Sequence, residues 1–79
     1  MRYEVTLPSM GDDSHEKAKI SFWLVNEGDI VTEGDDLLEL TTDKAAFTVP
    51  SPKTGTVVER MVEEDDEVVE GDVLCILEL

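Results

Sequence analysis

Cysteine, aromatic residues and basic residues are all scarce in this chain of 79 residues. Cys75 is the only cysteine, which excludes a disulfide scaffold and favours a reducing compartment. No apolar run reaches the length needed to cross a bilayer, and no basic-then-apolar leader opens the sequence. We therefore expect one small, soluble, intracellular domain.

Positive charge is also scarce, with 6 basic residues against 20 acidic ones and a formal net charge of −14. Nucleic acid and anionic membranes require a basic footprint, so we expect neither as a partner. Asp12-Asp13 and Asp65-Asp66 lack the spacing of a calcium loop, and we predict no metal site. The chain has a single histidine and no Ser/His/Asp set, so we predict no catalytic residues.

An internal repeat organises what the chain does contain. Residues 25–35 align with residues 62–72 at an offset of 37, and each copy carries two Gly/Asp turn signals. Short β-rich runs between such turns predict antiparallel strands. We predict strands near 3–7, 18–25, 30–31, 37–42, 45–49, 55–62, 67–69 and 73–78. Neither half can bury its own apolar face, which predicts an all-β flattened barrel or sandwich of two four-stranded antiparallel sheets with quasi-twofold symmetry.

A second match begins each half at a different offset. Leu7-Pro8-Ser9 aligns with Val49-Pro50-Ser51 at 42 residues, which predicts five extra residues within Met10–Lys17. The repeat also predicts that the Asp43-Lys44 turn and the chain termini occupy opposite poles. On this alignment the inserted acidic loop lies beside Lys44.

Residues 37–49 predict a hairpin that turns at Asp43-Lys44. Folding there pairs Leu40 with Phe47, and a one-residue slip would destroy the match of apolar residues. The shared apolar face holds Leu38, Leu40, Phe47 and Val49. Two-residue turns prefer Asn-Gly or Asp-Gly, which supply a positive φ. An exposed lysine is ordinarily a solvated charge, yet turn stability alone does not account for a lysine at this position.

Strand 18–25 does not follow one clean alternation of apolar residues. A bulge near Phe22–Trp23 would bury both Ile20 and Trp23. Trp23 is expected in the core, or half-covered at an edge because its repeat partner is Arg60. Cys75 lies in an apolar run and is expected to be a small buried core residue.

These residues resemble the lipoyl domain of 2-oxo acid dehydrogenase dihydrolipoamide acyltransferases. The resemblance covers essentially the whole chain, with Asp43-Lys44-Ala45 at its centre. Its other motif residues are Gly28-Asp29, Leu37-Leu38-Glu39-Leu40-Thr41-Thr42, Val49-Pro50-Ser51-Pro52, Gly55, Val68 and Gly71-Asp72-Val73-Leu74. The resemblance implies a single lipoyl-type carrier domain over residues 1–79, with lipoate in amide linkage on Lys44 and with Asp43 and Ala45 as attachment-motif neighbours.

The implied role is a non-catalytic swinging-arm carrier within an acyltransferase. Its partners would be a lipoate-attachment enzyme, a thiamine-diphosphate-dependent 2-oxo acid decarboxylase, the acyltransferase catalytic domain and a dihydrolipoyl dehydrogenase. Its location would be the cytoplasm, or the mitochondrial matrix in a eukaryote. One alternative is a biotin carboxyl carrier, although biotin carriers typically have methionine on both sides of the lysine. The other is an unmodified lipoyl-like module for protein contact.

The predicted insert supplies a set of possible partner-recognition residues. A loop histidine is ordinarily solvated, but this loop is predicted to flank Lys44. The residues are Asp12, Asp13, Ser14, His15 and Glu16. Lipoyl domains commonly carry a Gly-Glu-rich segment here, and this sequence departs from it.

Overall fold

The computed structural model describes residues 1–8 and 17–79, which form eight β-strands. The strands are β1 (Arg2–Thr6), β2 (Ala18–Trp23), β3 (Ile30–Val31), β4 (Asp36–Thr41), β5 (Ala46–Pro50), β6 (Gly55–Arg60), β7 (Glu67–Val68) and β8 (Val73–Glu78). All eight lie where the β-rich runs predict them. The molecule measures 33 × 20 × 18 Å along its principal axes.

The strands form two antiparallel sheets of four strands each. One sheet has the order β1-β8-β6-β3 and the other has the order β5-β4-β2-β7. Each sheet therefore takes strands from both halves of the chain, and all its pairings are antiparallel. The all-β architecture of two four-stranded sheets is confirmed.

The β4–β5 hairpin has the predicted register. Leu40 pairs with Phe47 and Thr41 pairs with Ala46, so the turn falls at residues 42–45. Leu38, Leu40 and Val49 are buried, as the shared apolar face predicts. Phe47 lies on the same face but stays 40% exposed, because β5 is the edge strand of its sheet.

The predicted bulge lies in β2, one residue earlier than expected. The register between β2 and β4 shifts between Ile20 and Phe22, so that Ser21 is the extra residue. Ile20 is fully buried and Trp23 is half-buried, while Phe22 points outward and is 58% exposed. The strand β6 has the same shift between Val57 and Glu59. The bulge is thus part of the repeated unit.

The strand pairings of the two halves correspond residue by residue. Lys19 pairs with Thr41, and the residues 37 positions later, Thr56 and Glu78, pair in the same way. The quasi-twofold relation predicted from the repeat therefore extends to hydrogen-bonded register.

The predicted offset of 42 for the first strand is wrong. Arg2 pairs with Glu78 and Ala46 pairs with Thr41, so β1 and β5 correspond at an offset of 44. Leu7 accordingly occupies the place of Ser51: the Leu7 amide donates to the Asp72 carbonyl and the Ser51 amide donates to the Asp35 carbonyl. The first half thus holds seven extra residues before β2, not five. The Pro-Ser pairs at residues 8–9 and 50–51 are alike in sequence but do not occupy equivalent positions. Backbone pairing shows which residues of β1 and β5 are equivalent.

Two apolar clusters fill the space between the sheets. The first contains Leu7, Ala18, Ile20, Leu38, Leu40, Val49, Val68 and Leu74. The second contains Val5, Val31, Leu37, Val57, Cys75 and Leu77. Trp23 packs against both clusters, and its Nε1 donates to the Val62 carbonyl at 3.0 Å. Cys75 is therefore a buried core residue, as expected, and Trp23 is half-covered, the second of the two placements expected for it.

Four tight turns share one hydrogen-bond pattern. In each, an aspartate amide donates to the carbonyl three residues earlier, and the aspartate carboxylate accepts from the amide of that earlier residue at 2.8–2.9 Å. The aspartates are Asp29, Asp35, Asp66 and Asp72. The residue before each aspartate has a positive φ: it is glycine in three turns and Asp65, at 76°, in the fourth. This pairing explains the repeated Gly-Asp signals in the sequence.

The Lys44 turn and the chain termini lie at opposite ends of the molecule. The strand β2 starts beside Thr41 and β6 starts beside Glu78, and the two strands run toward each other. They meet at Trp23 and Arg60, where the guanidinium lies 5.6 Å from the indole centroid. Trp23 and Arg60 are repeat partners, so their contact lies between the two halves, with the Lys44 turn on one side of it and the termini on the other.

Candidate functional site at the Lys44 hairpin

Lys44 stands at the tip of the β4–β5 hairpin, between two strands whose inner faces are anchored in the core. Leu40 and Val49 are buried on either side of the hairpin. Asp43, Lys44 and Ala45 are all exposed. A rigid hairpin therefore presents one long cationic side chain to solvent at the end of the molecule.

The side chain of Thr42 holds the turn in place. Its Oγ1 accepts from the amides of Lys44 and Ala45 and donates to the Ala45 carbonyl, each at 3.2 Å. One hydroxyl donor and two acceptor lone pairs are thereby all used. The Thr42 amide also donates to the Ala45 carbonyl at 2.8 Å. Thr42 is only 8% exposed, whereas Lys44 and Ala45 are exposed, so its side chain is buried at the base of an exposed turn.

Thr42 also explains how the turn forms without glycine. Among the described non-glycine residues only Asp65 has a positive φ, so Asp43 and Lys44 both have ordinary negative values. The hydroxyl of Thr42 accepts from the Lys44 amide two residues on, which is an ST-turn arrangement, and it also accepts from the Ala45 amide. The alternation of apolar residues does not mark Thr42 as the residue that holds the turn. A threonine two residues before the tip lysine was the available signal.

The structure describes some of the predicted site residues and not others. Asp43 and Ala45 flank Lys44 in the turn, as their sequence positions require. The predicted partner-recognition residues Asp12, Asp13, Ser14, His15 and Glu16 lie outside the described residues. The strand that follows them begins at Ala18, and Lys19 pairs with Thr41 at the Lys44 end of the sheet.

The surroundings of the Lys44 ammonium are open. Within residues 1–8 and 17–79 the ion pairs are those of Met1 with Glu78 and of Lys19 with Asp65, so no described carboxylate pairs with Lys44. The same residues contain no group of three or more His, Cys, Asp or Glu placed to hold a metal ion. They also contain no helix long and apolar enough to cross a membrane. The site offers an accessible amine on a fixed turn, and little else.

Comparison of the sequence with known protein families identifies the family of this chain. A family model named Biotin_lipoyl and described as "Biotin-requiring enzyme" matches residues 3–77. The chain belongs to the biotin/lipoyl family. A dihydrolipoyllysine-residue acetyltransferase component of pyruvate dehydrogenase complex from Staphylococcus aureus is 45% identical over 74 residues, which are 94% of this chain and 17% of that protein. A protein of the same name from Staphylococcus epidermidis is 40% identical over 74 residues.

The biotin/lipoyl chain described here therefore spans 17% of the length of these curated relatives. A solved structure with the same fold is the urea carboxylase of Kluyveromyces lactis, with a TM-score of 0.79 and 19% identity. It covers 99% of this chain and 6% of the carboxylase chain. At that identity the likeness concerns the fold alone.

Proposed function

We propose that residues 1–79 form a lipoyl carrier domain in which Lys44 carries lipoate through an amide bond. The observation that supports this most directly is the exposed Lys44 side chain on a hairpin tip, at the end of the molecule opposite the termini. The acetyltransferase relatives named for a dihydrolipoyllysine residue support lipoate over biotin. The sequence adds that Asp43 and Ala45 stand where biotin carriers typically have methionines.

Lys44 differs from the other described lysines in its placement. Lys19 lies within β2 and its Nζ is 3.9 Å from an Asp65 carboxylate oxygen. Lys53 follows β5 and its Nζ lies 5.9 Å from the centroid of the Tyr3 ring. Lys17 directly precedes β2. Lys44 is therefore the one lysine of these four that stands at a hairpin tip, where an enzyme can enclose its side chain.

The turn suits an acylated lysine for a simple chemical reason. Amide formation joins Nζ to the carboxyl carbon of an activated lipoyl group, releases the activating group and gives up two of the three ammonium protons, while the third remains as the amide N–H. The amide has one positive charge less than the free lysine. Because no described carboxylate forms an ion pair with Lys44, none loses its partner when that charge disappears. The Thr42 bonds act on the backbone, so they persist after modification.

Lipoate supplies a disulfide that takes up an acyl group and two electrons when it is bound. The chain itself contributes display: the hairpin holds the attachment point while the side chain moves. A carrier confined to one assembly meets several active sites at high effective concentration.

The partners we propose follow from this role. They are a lipoate-attachment enzyme, a thiamine-diphosphate-dependent 2-oxo acid decarboxylase, an acyltransferase catalytic domain and a dihydrolipoyl dehydrogenase. The relatives' printed names support an acetyltransferase of a pyruvate dehydrogenase complex as the larger protein. Their bacterial sources support a cytoplasmic location.

Intact mass spectrometry of the protein from its native host, followed by peptide mapping, tests the proposal. We expect a lipoyl adduct confined to the peptide that contains Lys44. Lys44→Arg keeps the exposed cation, and we expect it to preserve the fold and abolish the adduct. Lys53→Arg is the matched control and should leave modification unchanged.

Three outcomes would contradict the proposal. A biotinyl adduct on Lys44 would favour the carboxyl carrier, and a bare Lys44 in the native host would favour the unmodified contact module. A lipoyl adduct that persists in the Lys44→Arg protein would place the attachment elsewhere.

A further inference from the structure

Two buried hydroxyl groups in this chain each stand two residues before a lysine. Among the described residues the buried polar side chains are those of Thr42, which is 8% exposed, and Ser51, which is 2% exposed. Thr42 precedes Lys44 with one residue between them, and Ser51 stands in the same way before Lys53. Both lysines are exposed. The Lys53 turn is therefore an internal reference for the Lys44 turn.

The two hydroxyls engage the backbone of their lysines differently. The Thr42 Oγ1 accepts from the Lys44 amide and from the Ala45 amide, each at 3.2 Å. These amides belong to the two peptide units that flank the Lys44 Cα. The Ser51 Oγ donates to the Lys53 carbonyl at 2.6 Å, and that carbonyl belongs to the one unit that follows Lys53. Thr42 thus holds its lysine from both sides, whereas the Ser51 hydroxyl holds its lysine from one.

Holding both peptide units fixes the direction in which the Lys44 side chain leaves the backbone. Peptide units are planar, so the orientations of the two units beside a Cα set its φ and ψ and the direction of its Cα–Cβ bond. The base of the turn is fixed as well, because the Thr42 amide donates to the Ala45 carbonyl at 2.8 Å across the hairpin. Lys53 instead lies between β5 and β6, which belong to different sheets. The Lys44 turn therefore gives its side chain a defined origin and direction.

An enzyme that acylates Nζ depends on that origin and direction. It must enclose the side chain and bring a reactive carboxyl carbon to its end, and a misplacement of about 1 Å can cost roughly 100-fold in rate. A tip that moves among several conformations offers the required one for only a fraction of the time, and the apparent affinity falls by that fraction. A turn held in one conformation avoids this loss.

Resting on the proposed function, we infer that Thr42 is a positioning residue for the attachment of lipoate to Lys44. Its hydroxyl keeps the turn in the conformation that the attaching enzyme binds. Because Thr42 is only 8% exposed, its side chain offers an approaching enzyme little surface to contact. The hydroxyl therefore acts through the backbone on either side of the Lys44 Cα.

Two substitutions separate the hydroxyl from the shape of the side chain. Thr42→Val keeps the branched shape without the hydroxyl, and Thr42→Ser keeps the hydroxyl without the methyl group. Gly55→Ala is a control for lost stability, because its added Cβ would lie 2.6 Å from the Glu78 carbonyl oxygen, at the end of the molecule that carries the termini. The assay is the initial rate of Lys44 modification by a lipoate–protein ligase that modifies the wild-type chain, with lipoate and ATP. Thermal unfolding by circular dichroism checks that each variant is folded.

We expect Thr42→Val to lower kcat/KM about fivefold, mainly by raising KM, because fewer molecules hold the turn that the enzyme binds. Fivefold corresponds to about 1 kcal/mol in the population of the native turn. Thr42→Ser should restore kcat/KM to within about twofold of wild type. Gly55→Ala should melt at a lower temperature and also stay within about twofold, since nearly all of the chain remains folded under the assay conditions.

A small acylating reagent separates the position of the amine from its reactivity. An N-hydroxysuccinimide ester reaches an exposed Nζ from many directions and needs no fixed turn. We expect it to label Lys44 at the same rate in Thr42→Val and in the wild-type chain, as measured by peptide mapping. The loss would then be specific to the enzyme-catalysed reaction.

Several results would overturn the inference. Wild-type kinetics for Thr42→Val, or an equal loss in Thr42→Ser or Gly55→Ala, would refute it while leaving Lys44 as the proposed attachment site. Labelling by the small reagent that falls as much as the enzymatic rate would show that the hydroxyl acts on the amine itself, and would refute it too. A wild-type chain that no lipoate ligase modifies at Lys44 would remove the proposed function and the inference together.

Discussion

Removing the Thr42 hydroxyl tests whether that group holds the attachment turn. Thr42→Val keeps the branched shape and deletes three hydrogen bonds, each 3.2 Å long in the native turn. At that length each contributes about 0.5 kcal/mol, the low end of the usual range. The exposed amides of Lys44 and Ala45 regain water, and valine avoids burying a hydroxyl. We expect a net loss of about 1 kcal/mol in the free energy of unfolding.

Thr42→Ser is the matched variant, because it keeps the hydroxyl and deletes the buried methyl group. It should cost a similar amount, about 0.8 kcal/mol, through lost apolar burial. Either loss lowers the melting temperature by roughly 4–8 °C in a domain of this size. Melting temperature alone therefore does not distinguish the two mechanisms.

Amide hydrogen exchange does distinguish them. The Lys44 and Ala45 amides should exchange faster in Thr42→Val and at nearly the native rate in Thr42→Ser, after correction for global stability. Equal exchange of the Ala45 amide in both variants would refute the role of the hydroxyl. So would a Thr42→Val protein more stable than the native one.

Two further substitutions test the core and the far pole. A Cβ added at Gly55 would lie 2.6 Å from the Glu78 carbonyl oxygen, so Gly55→Ala should lower the free energy of unfolding by about 1–3 kcal/mol. A gain in stability, which strand propensity alone would give, would contradict the clash. The repeat mate of Gly55 is Ala18, so the clash is specific to position 55 and is not a demand of the repeated fold. Burial raises the pKa of the Cys75 thiol to about 11 from 9.0. The unfolded chain ionises first, so stability is fully present below pH 9 and falls by up to about 2–3 kcal/mol as pH rises toward 11. Urea unfolding of native and Cys75→Ala proteins measures this, and equal pH slopes would contradict it.

The sequence predicted the parts of the fold that depend on side-chain alternation. The β4–β5 register follows from the period of two, because any slip would expose Leu38 and Leu40. The β2 bulge was predictable for the same reason, since no unbroken alternation buries both Ile20 and Trp23. Its location was one residue off, because the apolar pattern does not specify which residue is skipped.

The offset of β1 and the role of Thr42 depend on contacts between residues that the local sequence does not reveal. The Pro-Ser pair shared by the two halves predicts the wrong offset for β1, because it constrains the fold less than the pairing of Arg2 with Glu78 does. The role of Thr42 depends on where its hydroxyl points after the chain has turned. The sequence alone thus located Lys44 at a hairpin tip, whereas the role of Thr42 in holding that turn became clear only from the structure.

The twofold relation makes the far pole a second, open copy of the Lys44 turn. The Leu79 amide donates to the Met1 carbonyl at 2.8 Å, and its mate is the bond from the Thr42 amide to the Ala45 carbonyl, also 2.8 Å. Leu79 and Met1 therefore correspond to Thr42 and Ala45, the two residues that flank the Asp43-Lys44 tip. A covalent Asp-Lys bridge between them would make the backbone a closed ring with two equivalent tips. Such a ring could be cut at either tip without breaking a strand, and, uncut, it would present two lysines pointing in opposite directions.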